Sequence, residues 1–148
     1  TQLSAAKLRG ELYRLFAAKG QPSRMSINGV SFGYKYGVPL EADLVFDVRF
    51  MPNPYYVPEL KEHDGTEGPV RDYVMNAPES HEMLQKLEEL LAFSIPLYQR
   101  EGNSPLVVAV GCTGGRHRSV AIACQLAAYL RSLGYRVELS HREKDNRR

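Results

Sequence analysis

The residue types and spacing best suited to chemistry lie in residues 111–119, which read Gly-Cys-Thr-Gly-Gly-Arg-His-Arg-Ser. Two adjacent glycines, Gly114 and Gly115, let backbone N–H groups turn toward a ligand without a Cβ in the way. A helix that begins directly after them would point the positive end of its dipole at the same ligand. The loop therefore predicts a phosphate-binding site, in preference to a glycine turn that merely precedes a helix. The side chains that would add hydrogen-bond donors are Thr113, Arg116, His117, Arg118 and Ser119.

Cys112 belongs to the same predicted site and opens an alternative. It is followed by five residues and then by an Arg-Ser pair, which is the spacing of the phosphate loop of cysteine-dependent phosphatases. That group commonly has a histidine before the cysteine, where this chain has Gly111. The sequence identifies no general-acid loop, although Asp47 or Asp64 could be proposed. We therefore predict a binding domain and not an enzyme, with a Cys112-dependent phosphatase as the alternative.

Further polar residues follow the predicted strands. Hydrophobic patterning predicts strands at residues 25–32, 44–49, 105–110 and 135–140. Ligands of open α/β sheets bind beyond the carboxyl ends of the strands, so the side chains at these ends should meet near the 111–119 loop. The candidates outside the loop are Asp47 and Arg49, with Lys35, Asn53, Tyr55, His141 and Arg142 as additional ones.

The helices alternate with these strands. Helical spacing of apolar residues predicts a helix over residues 3–19, a second that starts at Pro78 and is kinked or ended by Pro96, and a third over residues 119–133. The first strand could carry a bulge at Gly29. Alternating strands and helices predict a single α/β domain over residues 1–148, with a mostly parallel sheet of about four or more strands and helices on both faces.

Composition sets broader limits. The chain has 148 residues, of which 43% are hydrophobic and 24% charged, as in ordinary globular domains. Because it lacks an apolar run of about 18 residues and a signal-peptide pattern, we expect no membrane contact. Two cysteines without a plausible disulfide partner suit a reducing compartment, so we expect a cytoplasmic protein. The four histidines show no metal-ligand spacing. The chain begins with Thr1 rather than Met and so could be a piece of a longer protein.

The net charge of +2 is concentrated at one end. Residues 141–148 hold four basic residues against Glu143 and Asp145, which accounts for the whole excess. Such a tail could contact nucleic acid weakly, but the charge pattern alone favours a solvated end. The basic residues are Arg142, Lys144, Arg147 and Arg148.

Three long motifs carry a family resemblance. They are residues 31–37 (Ser-Phe-Gly-Tyr-Lys-Tyr-Gly), residues 43–54 (Asp-Leu-Val-Phe-Asp-Val-Arg-Phe-Met-Pro-Asn-Pro) and residues 111–120. The chain resembles the C-terminal domain of the RNase adapter protein RapZ/YvcJ family, over nearly its whole length. Members of that family carry an N-terminal P-loop domain, whose Gly-x4-Gly-Lys-Ser/Thr motif does not occur here. ATP or GTP binding would belong to that domain, so we expect no cofactor in this chain.

The resemblance implies a regulatory protein that senses glucosamine-6-phosphate, binds small RNA, presents it to an endoribonuclease and works as an oligomer. RNA contacts would come from the basic tail. Two features depart from the best-understood member: Tyr55 stands where that protein has a histidine near the site, and the tail is interrupted by acidic residues. The sugar-phosphate site implied by the resemblance comprises Asp47, Arg49, Thr113, Gly114, Gly115, His117, Arg118 and Ser119.

The carboxylate that would recognise an amino sugar is also open to two interpretations. Asp47 ends an otherwise apolar predicted strand and is the best-placed acceptor for the ammonium group. Alternatively, Asp47 pairs with Arg49 or Arg118 and only orders the site.

Overall fold

Four parallel strands form one sheet in a computed structural model, which describes residues 26–102 and 104–146. The strand order is β2-β3-β1-β4, and every neighbouring pair is parallel. The predicted α/β class with a parallel sheet is confirmed. The strands are β1 (Ser26–Gly33), β2 (Leu44–Asp47), β3 (Leu106–Cys112) and β4 (Arg136–His141).

β1 lies between β3 and β4 and keeps an uninterrupted register with both. Ile27 is opposite Leu106 on one side and Val137 on the other, and the β1–β3 pairing continues one residue at a time to Gly33 opposite Cys112. The predicted bulge at Gly29 is therefore wrong. The glycine instead leaves room for β4, because a Cβ at this position would lie 3.2 Å from the Leu139 side chain.

β2 is an edge strand and ends two residues earlier than predicted. Its last residue, Asp47, accepts a hydrogen bond from the backbone N–H of Arg49 at 2.9 Å, and this turn draws the chain away from the sheet. The pattern of β2 was apolar on both faces, yet Val45 is 40% exposed. An edge position explains this exposure, since a neighbouring strand is present on one side only.

Three α-helices accompany the sheet in the described part of the chain: α1 (Gly68–Met75), α2 (Pro78–Arg100) and α3 (Arg118–Ser132). α2 begins at Pro78 as predicted but does not end at Pro96. Pro96 is exposed, while Ile95 before it is fully buried, so core packing keeps the last turn in place despite the missing backbone donor. α3 ends just before Gly134, whose φ of 96° suits glycine. The predicted helix over residues 3–19 lies outside the described residues.

The core places α3 against the sheet so that its first residue lies at the carboxyl edge. Ile27, Leu106 and Val137 share one face of the sheet and form a single buried cluster with side chains of all three helices. α3 contacts β1, β3 and β4. Residues 113–117 connect the end of β3 to α3 and are therefore held at this edge from both sides. None of the described helices is both long enough and apolar enough to cross a lipid bilayer.

Candidate functional site

A cavity of about 370 Å³ opens at the carboxyl edge of the sheet. Its wall contains residues from separate parts of the chain, as expected for a site beyond parallel strands. Several predicted site residues lie outside it, namely Asp47, Arg49, Ser119, His141 and Arg142. The predicted residues that line it are Lys35, Asn53, Tyr55, Cys112, Thr113, Gly114, Gly115, Arg116, His117 and Arg118.

The glycine pair has two different roles in the loop. Gly115 has φ 78°, and a Cβ here would lie 2.5 Å from the Gly33 nitrogen, so neither the conformation nor the space admits a side chain. A Cβ on Gly114 would meet nothing within 4 Å. The backbone N–H groups of Gly114, Gly115 and His117 donate to no described residue. These free donors, beside the positive end of α3, can bind an anion.

Arg118 is the most constrained cation of the site, with 5% of its surface exposed. Its Nη1 donates to the carbonyl oxygens of Arg49 and, at 3.3 Å, Met51. Its Nη2 lies 3.3 Å from the Thr113 hydroxyl. Nε is buried and has no hydrogen-bond partner in the described structure. Arg118 thus fixes the loop after β2, and it also lines the cavity.

Cys112 and Ser119 form a buried pair behind the glycine loop. The thiol is 2% exposed, and its sulfur lies 3.2 Å from the Ser119 hydroxyl oxygen. Cys112 lines the cavity, whereas Ser119 is fully buried at the start of α3. The serine hydroxyl is therefore a neighbour of the sulfur rather than a group on the cavity wall.

The side chains of Arg116 and His117 are hydrogen-bonded to backbone carbonyl oxygens around the cavity. Arg116 donates to the carbonyl oxygens of Lys61, Glu62 and Lys144. His117 Nε2 lies 3.0 Å from the Lys61 carbonyl oxygen. Burial lowers the pKa of His117 from its usual 6.5, which favours a neutral ring that donates to this carbonyl. Sequence reasoning treated both side chains as donors to the ligand, but these hydrogen bonds go to protein carbonyls.

Asp47 and Arg49 pair with each other outside the cavity. Arg49 Nε lies 3.0 Å from Asp47 Oδ1, and Arg49 Nη2 lies 2.7 Å from Asp47 Oδ2. The side-chain hydrogen bond from Arg49 lowers the pKa of Asp47. Both side chains are nearly half exposed, so solvent screens the ion pair. The guanidinium also lies 3.9 Å above the Tyr34 ring, which holds it against the sheet edge.

His141, the last residue of β4, and residues 142–144 contact the rest of the domain. His141 Nδ1 lies 2.7 Å from the Ser31 hydroxyl, and burial lowers its pKa. Arg142 donates to Glu143 and to the Gly37 carbonyl oxygen. Lys144 has its Nζ 3.9 Å from an Asp64 oxygen. Arg147 and Arg148 of the predicted basic tail lie outside the described residues.

Five cavity residues were not predicted from the sequence. Lys61 and Glu62 follow a proline-rich stretch whose path no periodicity indicates. The Lys61 ammonium lies 4.6 Å from the centre of the Tyr55 ring, so it is held at the mouth of the cavity. From the sequence, the Tyr55-Tyr56 pair could either stack on a sugar or cover the sheet edge, and both residues line the cavity. The unpredicted residues are Tyr36, Tyr56, Lys61, Glu62 and Asn146.

No group of three or more His, Cys, Asp or Glu side chains within residues 26–102 and 104–146 is arranged to hold a metal ion. The donors on the cavity wall are nitrogen and hydroxyl groups, and the cavity residues include four side chains that carry positive charge at neutral pH. These residues are Lys35, Lys61, Arg116 and Arg118. Such a set suits an anionic ligand.

Residues 25–145, which contain every cavity residue except Asn146, match the family model described as the RapZ C-terminal domain. The chain belongs to the RapZ C-terminal domain family. The resemblance seen in the sequence motifs is confirmed.

Curated relatives in this family extend well beyond the chain. A protein named nucleotide-binding protein from Alkaliphilus oremlandii is 52% identical over 145 residues, which cover 98% of this chain and 50% of the relative. A protein of the same name from Carboxydothermus hydrogenoformans is 49% identical over 148 residues, covering 100% of this chain and 51% of the relative. One from Clostridium acetobutylicum is 47% identical over 144 residues, covering 97% and 49%. The chain thus spans about half the length of the curated relatives it matches.

Proposed function

We propose that this domain is a regulatory sensor of a phosphorylated amino sugar, glucosamine-6-phosphate. The observation that carries the proposal is that the guanidinium-bearing Arg118 and the free N–H groups of the glycine loop line the same cavity. Membership of the RapZ C-terminal domain family supports a regulatory role.

The phosphate would bind at the start of α3. The N–H groups of Gly114 and Gly115 and the donors of Arg118 surround the point toward which the helix dipole is directed. Lys35 and Lys61 add positive charge at the cavity wall. A volume of about 370 Å³ lies within the range typical of small-molecule sites. A sugar phosphate therefore fits both the charge and the size of the cavity.

The amino group would be recognised by Asp47, which lies outside the cavity lining but close enough to Arg118 for that charge to add to the effect of Arg49 in lowering its pKa. Its carboxylate already accepts hydrogen bonds from Arg49, so binding an ammonium requires this pair to rearrange. An exposed ion pair contributes only about 0–1 kcal/mol, so its rearrangement costs little. Among the described cavity residues, Glu62 is the one that carries a carboxylate, and it serves as the comparison.

Calorimetry with glucosamine-6-phosphate and glucose-6-phosphate tests the proposal. A charge-assisted hydrogen bond contributes roughly 1.5–3 kcal/mol. We therefore expect the wild type to prefer the amino sugar by about 10- to 150-fold. Asp47→Asn should lose the preference and still bind both sugars through the phosphate, whereas Glu62→Gln should retain it.

Equal affinities of the wild type for the two sugars would contradict amino-sugar recognition and leave the phosphate site intact. Loss of the preference in Glu62→Gln, but not in Asp47→Asn, would move recognition to Glu62. Failure of the wild type to bind either sugar phosphate would contradict the proposed function itself.

The partner of the sensor belongs to the same proposal. We propose that the domain binds small RNA or a protein such as an endoribonuclease, with Arg142, Lys144, Arg147 and Arg148 as the RNA contacts, and works as a cytoplasmic homo-oligomer when joined to the rest of the protein. RNA affinity that falls steeply with salt concentration would support contacts to phosphates. We assign the nucleotide binding in the relatives' names to the half that this chain does not span.

A further inference from the structure

Arg116 holds together two chain segments that lie far apart in the sequence. Its Nη1 and Nη2 donate to the carbonyl oxygens of Lys61 and Glu62 at 3.2 and 3.1 Å. Its Nε donates to the carbonyl oxygen of Lys144 at 3.0 Å. All three nitrogens of the guanidinium therefore contact the backbone of the protein. Lys61 and Glu62 line the cavity on one side of Arg116, and Asn146 lines it beyond Lys144.

Residues 142–146, here called the C-terminal segment, are also attached to the sheet end that supports the glycine loop. Glu143 is 5% exposed, and its Oε2 accepts a hydrogen bond from the Gly33 N–H at 2.8 Å. Gly33 in turn packs directly on the loop, because a Cβ on it would lie 2.5 Å from the Gly114 carbonyl carbon. The Arg142 N–H donates to the Ser31 carbonyl oxygen at 2.9 Å. The C-terminal segment thus reaches the loop by two routes, one through Gly33 and one through Arg116.

We propose that Arg116 is a positioning residue that closes the cavity wall between residues 61–62 and the C-terminal segment, so that ligand binding and docking of this segment stabilise each other. The identity of the ligand rests on the proposed function, but the attachment of the segment by Arg116 does not.

The geometry of arginine is what this position requires. A planar guanidinium directs its donors in fixed directions and can contact three carbonyl oxygens at once, whereas a lysine ammonium is a single point on a flexible stem. Arg116→Lys keeps the positive charge but removes the planar guanidinium and its fixed donor directions. The coupling is reciprocal by thermodynamic necessity: whatever fixes the C-terminal segment favours the ligand-binding loop, and the ligand fixes the segment in return.

Amide hydrogen exchange and calorimetry on the 148-residue chain test this inference. The reporters are the N–H groups of Arg142 and Asn146, which donate to the carbonyl oxygens of Ser31 and Glu143. The probe is glucosamine-6-phosphate, with inorganic phosphate as a second ligand. Arg131→Lys is the matched control, because Arg131 also donates to a backbone carbonyl, that of Val137 at 2.8 Å, and does not line the cavity.

In the wild type, saturating ligand should slow exchange at both reporter amides. Couplings between sites typically correspond to roughly 5- to 150-fold in affinity, so Arg116→Lys should bind about 5-fold or more weakly. In the absence of ligand, the reporter amides of Arg116→Lys should already exchange faster than those of Arg131→Lys. The last comparison separates a positioning residue from a direct ligand, because a direct ligand would leave exchange in the free protein unchanged.

Unchanged exchange at Arg142 and Asn146 in the saturated wild type would overturn the coupling, and this measurement needs no variant to fold. Equal exchange rates in ligand-free Arg116→Lys and Arg131→Lys would overturn the positioning role. If the wild type binds no sugar phosphate or phosphate, the proposed function and the coupling both fail. The ligand-free comparison then still decides whether Arg116 attaches the segment.

Discussion

Arg118 combines a structural and a binding role in one side chain. Its Nη1 donates to the carbonyl oxygens of Arg49 and Met51, which fixes the turn after β2. Its buried Nε has no partner in the described structure, and an unsatisfied buried donor costs about 1–3 kcal/mol. Arg118 also lines the cavity, so we expect a bound phosphate to stabilise the residue that orders the site.

A binding site and a cysteine-dependent phosphatase predict different behaviour for Cys112. The thiol is buried and lies beside the Ser119 hydroxyl, where it contributes to packing behind the loop. We expect the wild type not to hydrolyse an aryl phosphate. Cys112→Ser should retain sugar-phosphate affinity within about 10-fold, because it changes one buried atom and leaves the loop N–H groups and Arg118 in place, and one hydrogen bond is worth about 1 kcal/mol. A p-nitrophenyl phosphate assay and calorimetry measure the two quantities.

Cys124→Ser is the control for substitution of a thiol, since this cysteine lies in α3 and does not line the cavity. Robust hydrolysis by the wild type and by Cys124→Ser, lost in Cys112→Ser, would establish the phosphatase alternative in place of the sensor.

Between elements, the end of β1 and the glycine loop approach more closely than any side chain would permit. The Cβ positions built on Gly33 and on Gly115 both fall within 3 Å of backbone atoms of the other segment. This contact fixes how closely the loop packs on the end of β1. It explains why both segments need glycine, although they are about eighty residues apart.

Gly115→Ala should destabilise the fold, whereas Gly114→Ala should not. A positive φ costs an L-residue about 1–2 kcal/mol, and the clash with the Gly33 nitrogen adds to this cost. We expect a loss of about 2 kcal/mol or more in the free energy of unfolding for Gly115→Ala. The Cβ of Gly114→Ala would enter open space, so its change should stay within about 0.5 kcal/mol. Urea denaturation compares the two, and equal stability would show that the loop relaxes.

Most of the elements could be predicted because their signals are local. β3 is a short apolar run, and α3 is bounded by the glycine loop and Gly134. α1 could not be predicted, since eight residues that begin Gly-Pro are typical of a turn, and the helix depends on burying Val70 and Val74 in the core. The persistence of α2 past Pro96 likewise depends on tertiary packing.

The residues of the site likewise fall into those that the sequence predicts and those that depend on tertiary contacts. The loop from Cys112 to Arg118 is contiguous, so its residue types and spacing predict a cavity wall. Lys61, Glu62 and Asn146 reach that wall through the hydrogen bonds of Arg116 and His117 and through the folding back of the C-terminal segment. No periodicity in the sequence contains these contacts. Pairing of Asp47 with Arg49 was one of two interpretations of the sequence, and the side-chain distances decide that the pair forms.

For the molecule as a whole, two histidines should make stability depend on pH. Burial lowers the pKa of both His117 and His141. The folded state therefore binds protons less tightly than the unfolded chain. Stability is complete above the usual histidine pKa of about 6.5 and is lost as the pH falls below it.

We expect the free energy of unfolding to decrease from pH 7.5 to 5.5, by at most about 1.4 kcal/mol per pH unit for each histidine. His117→Gln keeps an N–H donor for the Lys61 carbonyl oxygen and should flatten the dependence. His81→Gln alters an exposed histidine of α2 and should leave it unchanged. Urea titrations at several pH values measure the slopes, and an identical slope in wild type and His117→Gln would exclude a contribution from His117.

During synthesis the C-terminal segment emerges from the ribosome after the loop that it supports. Glu143 and Lys144 hold the supports of a loop whose own residues emerge about thirty positions earlier. A nascent chain that has passed α3 therefore possesses every glycine and arginine of the loop but not the contacts that fix them. β4, which pairs with β1, is also synthesised after α3. We therefore expect tight binding of the proposed sugar phosphate to begin only after residue 144 has left the exit tunnel.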